Sequence, residues 1–452
     1  MLSPFFWMLP LIADMRCVNL ARCHIPLAHQ LDYPAHQKET AVHTDANRLA
    51  FEFKTPATGG AEAAEQGDPW YSALNDTLAA PRFIGSETSP PAEAARRAWI
   101  DCLKQDPMGN AFCHPDMALS AEMARGLSPL VYARWQGQKA TTLGVLLNRP
   151  LPVRLAPKVR VRLSGYKLLE SEVVGDRGTE SMETLRDSIV QLLATGKAES
   201  VFVEDLDVAS PLWEALTRTK LRGVEVFFPE EPQPHWWIRF PEPPEKYWDH
   251  FSSKTRSKFR QKARKIEEFR CFRGEHEVEE FLAKAHQIGT NTWQSKRLGT
   301  RIANSPEEIA FWKLIAHHGA MRSYVLAHAG RPAAFALAEQ WRQRMIPQEI
   351  GYDQSHSEHS PGTVLLFRIL QNLIERDCPR AFDFGYGDAD YKHLFGNHQV
   401  LSAPIVLVRS SFRPLAVMWT DWLRRRTSRV LRTGLRKVGV LERVRRRYRA
   451  TG

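Results

Sequence analysis

Between residues 321 and 408, strand-like and helix-like segments follow one another in an order that restricts the possible folds. Two apolar runs that flank Gly330 predict a hairpin, and the next run predicts a third antiparallel strand. The predicted elements are, in order, strands 321–329, 332–341 and 344–352, helix 361–376, strand 381–384, helix 389–395 and strand 400–408. Because helices alternate with the later strands, the region predicts a mixed sheet covered by helices.

The 452-residue chain is too long for one ordinary domain, and its composition divides it into four segments. Residues 1–94 mix Thr, Ala, Gly, Pro and Glu without periodicity and predict a poorly ordered extension. Two α/β units follow at 95–235 and 236–410, and a basic amphipathic helix is predicted at 411–452. The predicted fold class is α/β (α+β), with two consecutive lobes that each contain a mixed, largely antiparallel sheet flanked by helices.

The first unit begins with a hairpin around Gly137 and continues with alternating helices and strands. Its predicted elements are strands 130–135, 141–147 and 159–163, helix 181–194, strand 200–206, helix 211–220 and strand 224–228. The second unit opens with helical periodicity, which predicts a long basic helix at 244–269 and further helices at 277–289 and 306–318.

Cysteine usage indicates a reducing compartment. The six cysteines include no C-x-x-C pair and are too sparse for a disulfide framework. Cys113-His114 has no second half-site at zinc spacing, so no metal site is predicted. The chain contains no apolar run of roughly 18 residues, and the run at 4–13 lacks the flanking features of a signal peptide. We therefore expect a cytoplasmic protein, either free or at the inner face of the membrane.

The net charge of +11 belongs to the C-terminal tail. Residues 411–452 contain thirteen Lys or Arg and two acidic residues, so the rest of the chain is neutral overall. No nucleic-acid partner is expected for such a body. The tail also carries apolar residues and two tryptophans, Trp419 and Trp422, at helical spacing. Contact with an anionic membrane surface, docking of an acidic carrier protein and packing on its own domain are the alternatives for this helix.

The loop before helix 361–376 is the first candidate site. Ser360, Pro361, Gly362 and Thr363 are small residues at the start of the helix, where amide groups lack intrahelical partners. Glycine permits close approach of a ligand to the backbone, and the helix dipole favours an anion such as a pyrophosphate. The alternative is an ordinary serine cap.

The segment DFGYGDADYKHLFG at 383–396 is the second candidate site, because it concentrates carboxylates, a tyrosine and a lysine after a short strand. It contains a DFG triplet without the other kinase motifs, and a G-x-G without the third glycine of a dinucleotide fingerprint. Asp388 and Asp390 form a D-x-D pair that can hold a metal in a glycosyltransferase. A turn held together by Asp side chains is the structural alternative.

The basic segment 252–270 has Phe259, Ala263, Ile266 and Phe269 at helical spacing. This stripe predicts a docked helix with a solvated basic face, rather than a surface for duplex recognition. Its basic face can bind the phosphates of a cofactor or substrate.

Together, residues 236–409 resemble the GNAT-type domain of cellulose-biosynthesis-type acetyltransferases and, more distantly, of Fem-type aminoacyltransferases. The matching motifs are KTRSKFRQKARKIEE, TNTWQSKRLGT, YVLAHAGRPAAFALAEQ, IGYDQSHSEHSPGTVLLFRILQNLIE and DFGYGDADYKHLFG. The first unit is similar to the degenerate first lobe of two-lobed members, so the resemblance implies two GNAT-like lobes.

The resemblance implies acetyl-CoA or another acyl-CoA as donor, with its pyrophosphate on the backbone around Ser360, Gly362 and Thr363 and its thioester near Tyr352. An acceptor amine or hydroxyl then attacks the thioester, which requires a base and a proton donor for the thiolate. The candidate residues are Asp383 or Asp388 as base, Glu349 in reserve, Tyr391 as proton donor to sulfur, and Lys392 to stabilise negative charge.

The expected function is acyl transfer to a small-molecule or envelope-precursor acceptor in cell-envelope or polysaccharide metabolism. Fem-type relatives use aminoacyl-tRNA, so this alternative donor stays open. A non-catalytic protein recruited to membranes by its tail, and a metal-dependent glycosyltransferase that uses Asp388 and Asp390, are the alternatives from other classes.

Overall fold

The computed structural model describes residues 82–84, 92–123, 129–137, 139–156, 158–266, 268–292 and 302–437. All of them belong to one compact unit, residues 61–452. Most of the predicted N-terminal extension and the last part of the tail lie outside the described residues. Within the predicted extension, Arg82–Ile84 forms a strand, and the first helix begins at Ala92.

A thirteen-stranded sheet runs through the described part of the chain. The strands in chain order are β1 Arg82–Ile84, β2 Leu130–Gln136, β3 Lys139–Asn148, β4 Leu151–Ala156, β5 Val159–Leu163, β6 Gly165–Gly175, β7 Ser200–Asp207, β8 Val224–Phe227, β9 Gln233–Arg239, β10 Glu268–Phe272, β11 Ser323–His328, β12 Arg331–Trp341, β13 Arg344–Tyr352, β14 Ala381–Tyr386 and β15 His398–Arg409. Their order in the sheet is β1-β2-β3-β6-β7-β15-β9-β14-β13-β12-β11-β10, β8 pairs with β15, and β4 and β5 form a separate hairpin.

Most neighbouring strands are antiparallel, and the parallel pairs are β1 with β2, β6 with β7 and β13 with β14. The prediction of a mixed, largely antiparallel α/β fold is therefore confirmed. The two lobes nevertheless share one sheet, because β15 pairs with β7 and β8 of the first lobe and with β9 of the second. A boundary near residue 235 thus divides the sequence into two lobes, but the sheet continues across this boundary.

Ten α-helices are described. They are α1 Ala92–Gln105, α2 Pro115–Met123, α3 Thr179–Ala194, α4 Pro211–Thr217, α5 Ser253–Ala263, α6 Val278–Thr290, α7 Pro306–His317, α8 Pro361–Arg376, α9 Asp390–Phe395 and α10 Phe412–Lys437. Serine side chains cap the amino ends of α4, α5 and α7, where each accepts a bond from a first-turn amide. No helix among the described residues has the length and apolar character needed to cross a membrane.

Helices cover both faces of the second lobe. Alternate residues of β12 enter different cores: Ala336 packs with α5 and α8, whereas Phe335 packs with α6 and α7. Because successive side chains of a strand point to opposite faces, these helix pairs lie on opposite sides of the sheet. In β15, Leu407 likewise joins the core under α3 and α4, and Val406 joins the core under α10.

The strand predicted at 344–352 and the helix predicted at 361–376 are confirmed at those positions. The hairpins around Gly137 and Gly330 are confirmed as well. The long basic helix at 244–269 is wrong in extent. A 3₁₀ helix occupies Pro244–His250, Ser252 starts α5 as a new cap, and the chain is extended again from Glu268. The prediction also missed β4, β6 and β9.

Candidate active site

The adjacent strands β13 and β14 pair only at their amino ends, and we call the gap beyond this pairing the cleft. These strands pair in parallel at Arg344 with Ala381 and at Met345 with Phe382. Beyond this point β13 continues along β12 to Tyr352, and β14 continues along β9, so the pair separates towards its carboxyl ends. Ligands in α/β sheets bind at the carboxyl ends of strands, where such a gap leaves unpaired backbone groups.

The amino end of α8 lies at the mouth of this cleft. Ser360 precedes the helix in a left-handed conformation with φ 53°, and no side-chain hydrogen bond among the described residues caps this end. A Cβ atom on Gly362 would lie 3.3 Å from the ring of Tyr352, the last residue of β13. The backbone of the first turn is therefore packed closely against the end of the strand. The amide groups of Gly362 and Thr363 belong to this first turn.

The basic helix α5 lies beside this amino end. Phe259 and Ala263 are buried against the core that α8 shares, which agrees with the predicted docked face. The ammonium of Lys262 donates to the hydroxyl of Ser360 at 3.0 Å. Lys258 is exposed on the same helix. The Lys262 ammonium and the first-turn amides of α8 thus lie close together, and a phosphate group would be stabilised between them. We call this place the basic corner.

The turn after β14 is held by Lys392. Its ammonium is buried and donates to the carbonyl oxygens of Gly385, Tyr386 and Gly387 at 2.9, 2.9 and 3.0 Å. Gly385 and Gly387 have φ of 72° and 93°, which only glycine adopts readily. The predicted role of Lys392 in stabilising charge on the substrate is at variance with this geometry, because the ammonium is already used by the turn.

Asp388 and His393 form an accessible acid–imidazole pair at the same edge. His393 Nε2 lies 2.6 Å from Asp388 Oδ1, and both side chains are about half exposed. The indole of Trp236 donates to the same carboxylate oxygen at 3.3 Å. Tyr391 is 37% exposed and its ring lies 5.8 Å from that of Phe384 in β14. Tyr391 and Gly362 thus follow the carboxyl ends of neighbouring strands.

Asp383 belongs to a buried charge network at the base of the cleft. It accepts from Arg344, its carboxylate lies 2.5 Å from His235 Nε2, and Arg344 also pairs with Glu172 of β6. His235 Nδ1 contacts Asp205 of β7 at 2.7 Å. We name these five residues the seam network, because they join strands of both lobes.

The protonation states of the seam network follow from its charges. Burial raises the pKa of Asp383, but His235 and Arg344 outweigh this effect and hold the pKa well below its usual range. Burial lowers the pKa of His235, but Asp383 and Asp205 outweigh it and raise the pKa to about 10. A fully buried, paired carboxylate with a low pKa is a poor general base. Asp383 is therefore better suited to positioning than to the predicted proton transfer.

Glu339 is a further buried carboxylate, and it interacts electrostatically with Arg344 and Glu172 of the seam network. Burial raises the pKa of Glu172, with Arg344 only partly opposing it, and raises the pKa of Glu339 well above its usual value, with Glu170 adding to the effect. One oxygen each of Glu172, Glu339 and Asp205 is buried without a hydrogen-bond partner among the described residues. Buried polar atoms without partners are rare, so these oxygens are candidates for contact with a ligand, an ion or an ordered water.

Residues 253–393 match the sequence profile of the family described as acetyltransferase (GNAT) domain. This region is a GNAT domain. It contains the cleft, α5, the amino end of α8 and the turn around Lys392. A search of curated protein sequences finds no match.

Several solved structures are similar to this chain. FemX is 12% identical and has a TM-score of 0.50, over 71% of this chain and 97% of FemX. L-PGS from Bacillus licheniformis is 12% identical with a TM-score of 0.42, covering 76% of this chain and 98% of that chain. A tandem GNAT protein from the clavulanic acid biosynthesis pathway is 9% identical with a TM-score of 0.38, covering 71% and 96%. At these identities the likeness to FemX concerns the fold alone.

The sequence indicated Asp383 as a candidate, but the other four residues of the seam network were missed. His235 lies 148 residues before Asp383, and Glu172 lies 172 residues before Arg344, so no local motif joins them. A signal was nevertheless present, because Glu339 and Asp383 are charged residues inside otherwise apolar strand runs. Such residues are buried only when they are paired or form part of a site.

Proposed function

We propose that this protein transfers an acyl group from acyl-CoA to an amine. The observation that carries the proposal is the basic corner beside the open cleft, where Lys262 contacts Ser360 at the uncapped amino end of α8. A donor with a pyrophosphate fits this corner, and its thioester arm would enter the gap between β13 and β14 next to Tyr352. Ser360, Gly362 and Thr363 would hold the phosphates.

The acceptor is proposed to be an amine because the base of the cleft is rich in carboxylates. Glu172, Asp205 and Glu339 each leave an oxygen without a partner among the described residues, and Arg344 leaves its Nε without one. A cationic or amine-bearing molecule would satisfy these oxygens better than a neutral sugar hydroxyl. An amine-bearing small molecule or envelope precursor meets this requirement.

In the proposed reaction, the amine attacks the thioester carbonyl and the C–S bond breaks as the tetrahedral intermediate collapses. The Asp388–His393 pair accepts the proton that the amine loses, and Tyr391 returns a proton to the leaving thiolate. Asp383 holds His235 and Arg344 in place, and Lys392 holds the turn that presents Asp388 and Tyr391.

A Fem-type reaction with aminoacyl-tRNA is the second candidate. It is favoured by the exposed lysines of α5, since Lys254 and Lys258 extend the basic surface along the helix beyond Lys262. Acetyl-CoA and charged tRNA are distinguished by direct binding and by which of them supports transfer to a panel of amines. Absence of transfer with either donor would favour a non-catalytic binding protein.

The test of the donor site is the charge reversal Lys262→Glu. We expect it to weaken acetyl-CoA binding about tenfold, or about 1.4 kcal/mol, because the reversed charge repels the phosphates. Isothermal titration at low salt measures this change. The matched control is Lys220→Glu, which makes the same change at an exposed position of the first lobe. Equal affinities of the two variants would refute the proposed phosphate corner.

We also propose that α10 contacts an anionic membrane surface. Val417 and Met418 pack on the sheet, which agrees with the alternative of packing on its own domain. The opposite face exposes Phe412, Trp419 and Leu423 by 76, 39 and 45%. Exposed aromatic and basic residues on one helix are typical of interfacial binding.

A further inference from the structure

Three side chains with metal-ligating atoms converge where the first lobe meets α7. His114 and Asp116 lie at the start of α2, and His318 is the residue that ends α7. Their ligand atoms all lie within 4.8 Å of one another. His318 Nε2 is 2.9 Å from Asp116 Oδ2, which is 3.7 Å from His114 Nδ1. His318 and Asp116 are 202 residues apart in the sequence, so the chain is folded to bring them together.

His114 Nδ1 and the carboxylate of Asp116 face each other. Burial, with the neighbouring His318 adding to it, lowers the pKa of His114 to about 4. The amide of Asp116 donates to His114 Nδ1 at 3.3 Å, so Nδ1 carries the lone pair and would exchange this hydrogen bond for a bond to the metal. Burial raises the pKa of Asp116, but bonds from His318 and Arg96 outweigh it and hold the pKa well below its usual range.

The surroundings also resemble an outer coordination shell. Arg96 pairs with the second oxygen of Asp116 and leaves Oδ2 directed at the histidines. Trp341 has its ring 6.0 Å from that of His114, and its indole N–H is buried without an acceptor among the described residues. A buried donor without an acceptor next to two imidazoles and a carboxylate can be satisfied by a ligand such as a metal-bound water.

We propose that His114, Asp116 and His318 bind one divalent transition-metal ion, with Zn²⁺ as the best fit to two nitrogens and one oxygen. Zinc–ligand bonds of roughly 2.0–2.2 Å in a tetrahedron separate the ligand atoms by roughly 3.3 Å, which is close to the two measured separations. A fourth position remains for water. The ion would join the segment that begins α2 to the end of α7, and this site is separate from the acyl-transfer chemistry proposed above.

The experiment is a Zn²⁺ titration of the full-length, tag-free protein after removal of metal with EDTA. We expect one Zn²⁺ per chain and a melting temperature that rises with added Zn²⁺, because a ligand that binds the folded state stabilises it. Co²⁺ is the spectroscopic probe, since its visible absorption in a nitrogen–oxygen site reports coordination directly. His318→Ala is expected to weaken Zn²⁺ binding at least about tenfold and to abolish the Co²⁺ band.

The matched control is His317→Ala. His317 is the adjacent histidine of the same helix end, but it pairs with Glu275 and is half exposed. This variant should bind Zn²⁺ and Co²⁺ as the wild type does. Circular dichroism and acetyl-CoA binding establish that the His318→Ala variant is folded, and Asp116→Asn provides a second test of the same site. The proposal is overturned if the wild type shows no stoichiometric binding, or if His318→Ala retains it.

Discussion

Asp383 is the residue on which the seam network depends. It is the shared counter-ion of Arg344 and His235, and none of the three is more than 8% exposed. Removal of one partner from a buried ion pair leaves an uncompensated charge. We expect Asp383→Asn to lower the free energy of unfolding by about 3–5 kcal/mol, measured by urea denaturation.

The control for this substitution is Asp388→Asn, which makes the same chemical change at a half-exposed carboxylate. A loss within about 0.5 kcal/mol is expected there, as for other surface positions. If Asp383→Asn were as mild as Asp388→Asn, the seam network would not stabilise the fold in the way we describe.

His235 makes the stability depend on pH. Its pKa is raised to about 10 in the folded protein, whereas an unfolded histidine titrates near about 6.5. The stabilisation by the charged imidazole is therefore complete below pH of about 6.5 and is lost as the pH rises towards 10. We expect the free energy of unfolding to fall over this range in urea titrations.

The variant His235→Gln tests this assignment, since glutamine does not titrate. Its free energy of unfolding should vary less between pH 6.5 and 10 than that of the wild type. The same pH slope in both proteins would show that another group is responsible.

Asp388 is the proposed proton acceptor, and its neighbour Asp390 provides the comparison. General-base catalysis contributes roughly 10²–10⁴-fold in rate, so Asp388→Asn should reduce kcat by about that factor and leave acetyl-CoA affinity unchanged. Asp390→Asn should retain turnover, because only Asp388 contacts His393 and Trp236 in the described structure. Equal losses in both variants, restored by Mn²⁺, would favour the D-x-D metal alternative instead.

The sequence predicted the local setting of the candidate residues but not their partners. Gly362 and Asp388 lie in short motifs with a local meaning, such as a helix start and a glycine-rich turn, so their positions could be predicted. The partners that a side chain contacts were harder to predict. Lys392 binds carbonyl oxygens of its own turn, and Asp383 binds partners more than a hundred residues away, because both depend on tertiary contacts.

At the scale of elements, α10 allows the membrane proposal to be tested. We expect the full-length protein to co-sediment with phosphatidylglycerol vesicles but not with phosphatidylcholine vesicles, because the helix combines exposed apolar and basic residues. The double variant Trp419→Ser/Leu423→Ser should lose most of this binding.

Leu401→Ser is the control for the vesicle experiment, since Leu401 is 51% exposed on β15 and does not belong to α10. Equal binding by the double variant and the control would exclude the exposed face of α10 as the contact. Binding to an acidic carrier protein but not to vesicles would favour that alternative partner.

Elements with strong periodicity and clear end signals were predicted well. Helix α8 begins at Pro361 and ends at Arg376 as expected, since an apolar stripe and an initial proline define it. Strand β6 was missed because its alternation is interrupted at Glu170 and Ser171, which both have positive φ. In the basic segment 252–270 the helix was predicted too long. Phe269 has helical spacing from Phe259, Ala263 and Ile266, but it lies in strand β10.

At the scale of the whole molecule, the α/β class followed from the order of the elements, but the sheet order did not. Adjacent elements in the sequence predict local hairpins such as β11–β12, and these formed. The pairing of β15 with β7 joins residues about 200 positions apart, for which a single sequence contains no signal. The lobe boundaries therefore stay a prediction, and one sheet extends over both lobes.

The position of β15 has a consequence for biosynthesis. This strand is synthesised after β7, β8 and β9, yet it fills the gap between β7 and β9. Until it arrives, the nascent polypeptide presents open strand edges on both halves, and such edges are prone to aggregation. Neither half is expected to be obtained alone as a well-behaved fragment, and a stop codon before residue 398 should leave an insoluble product.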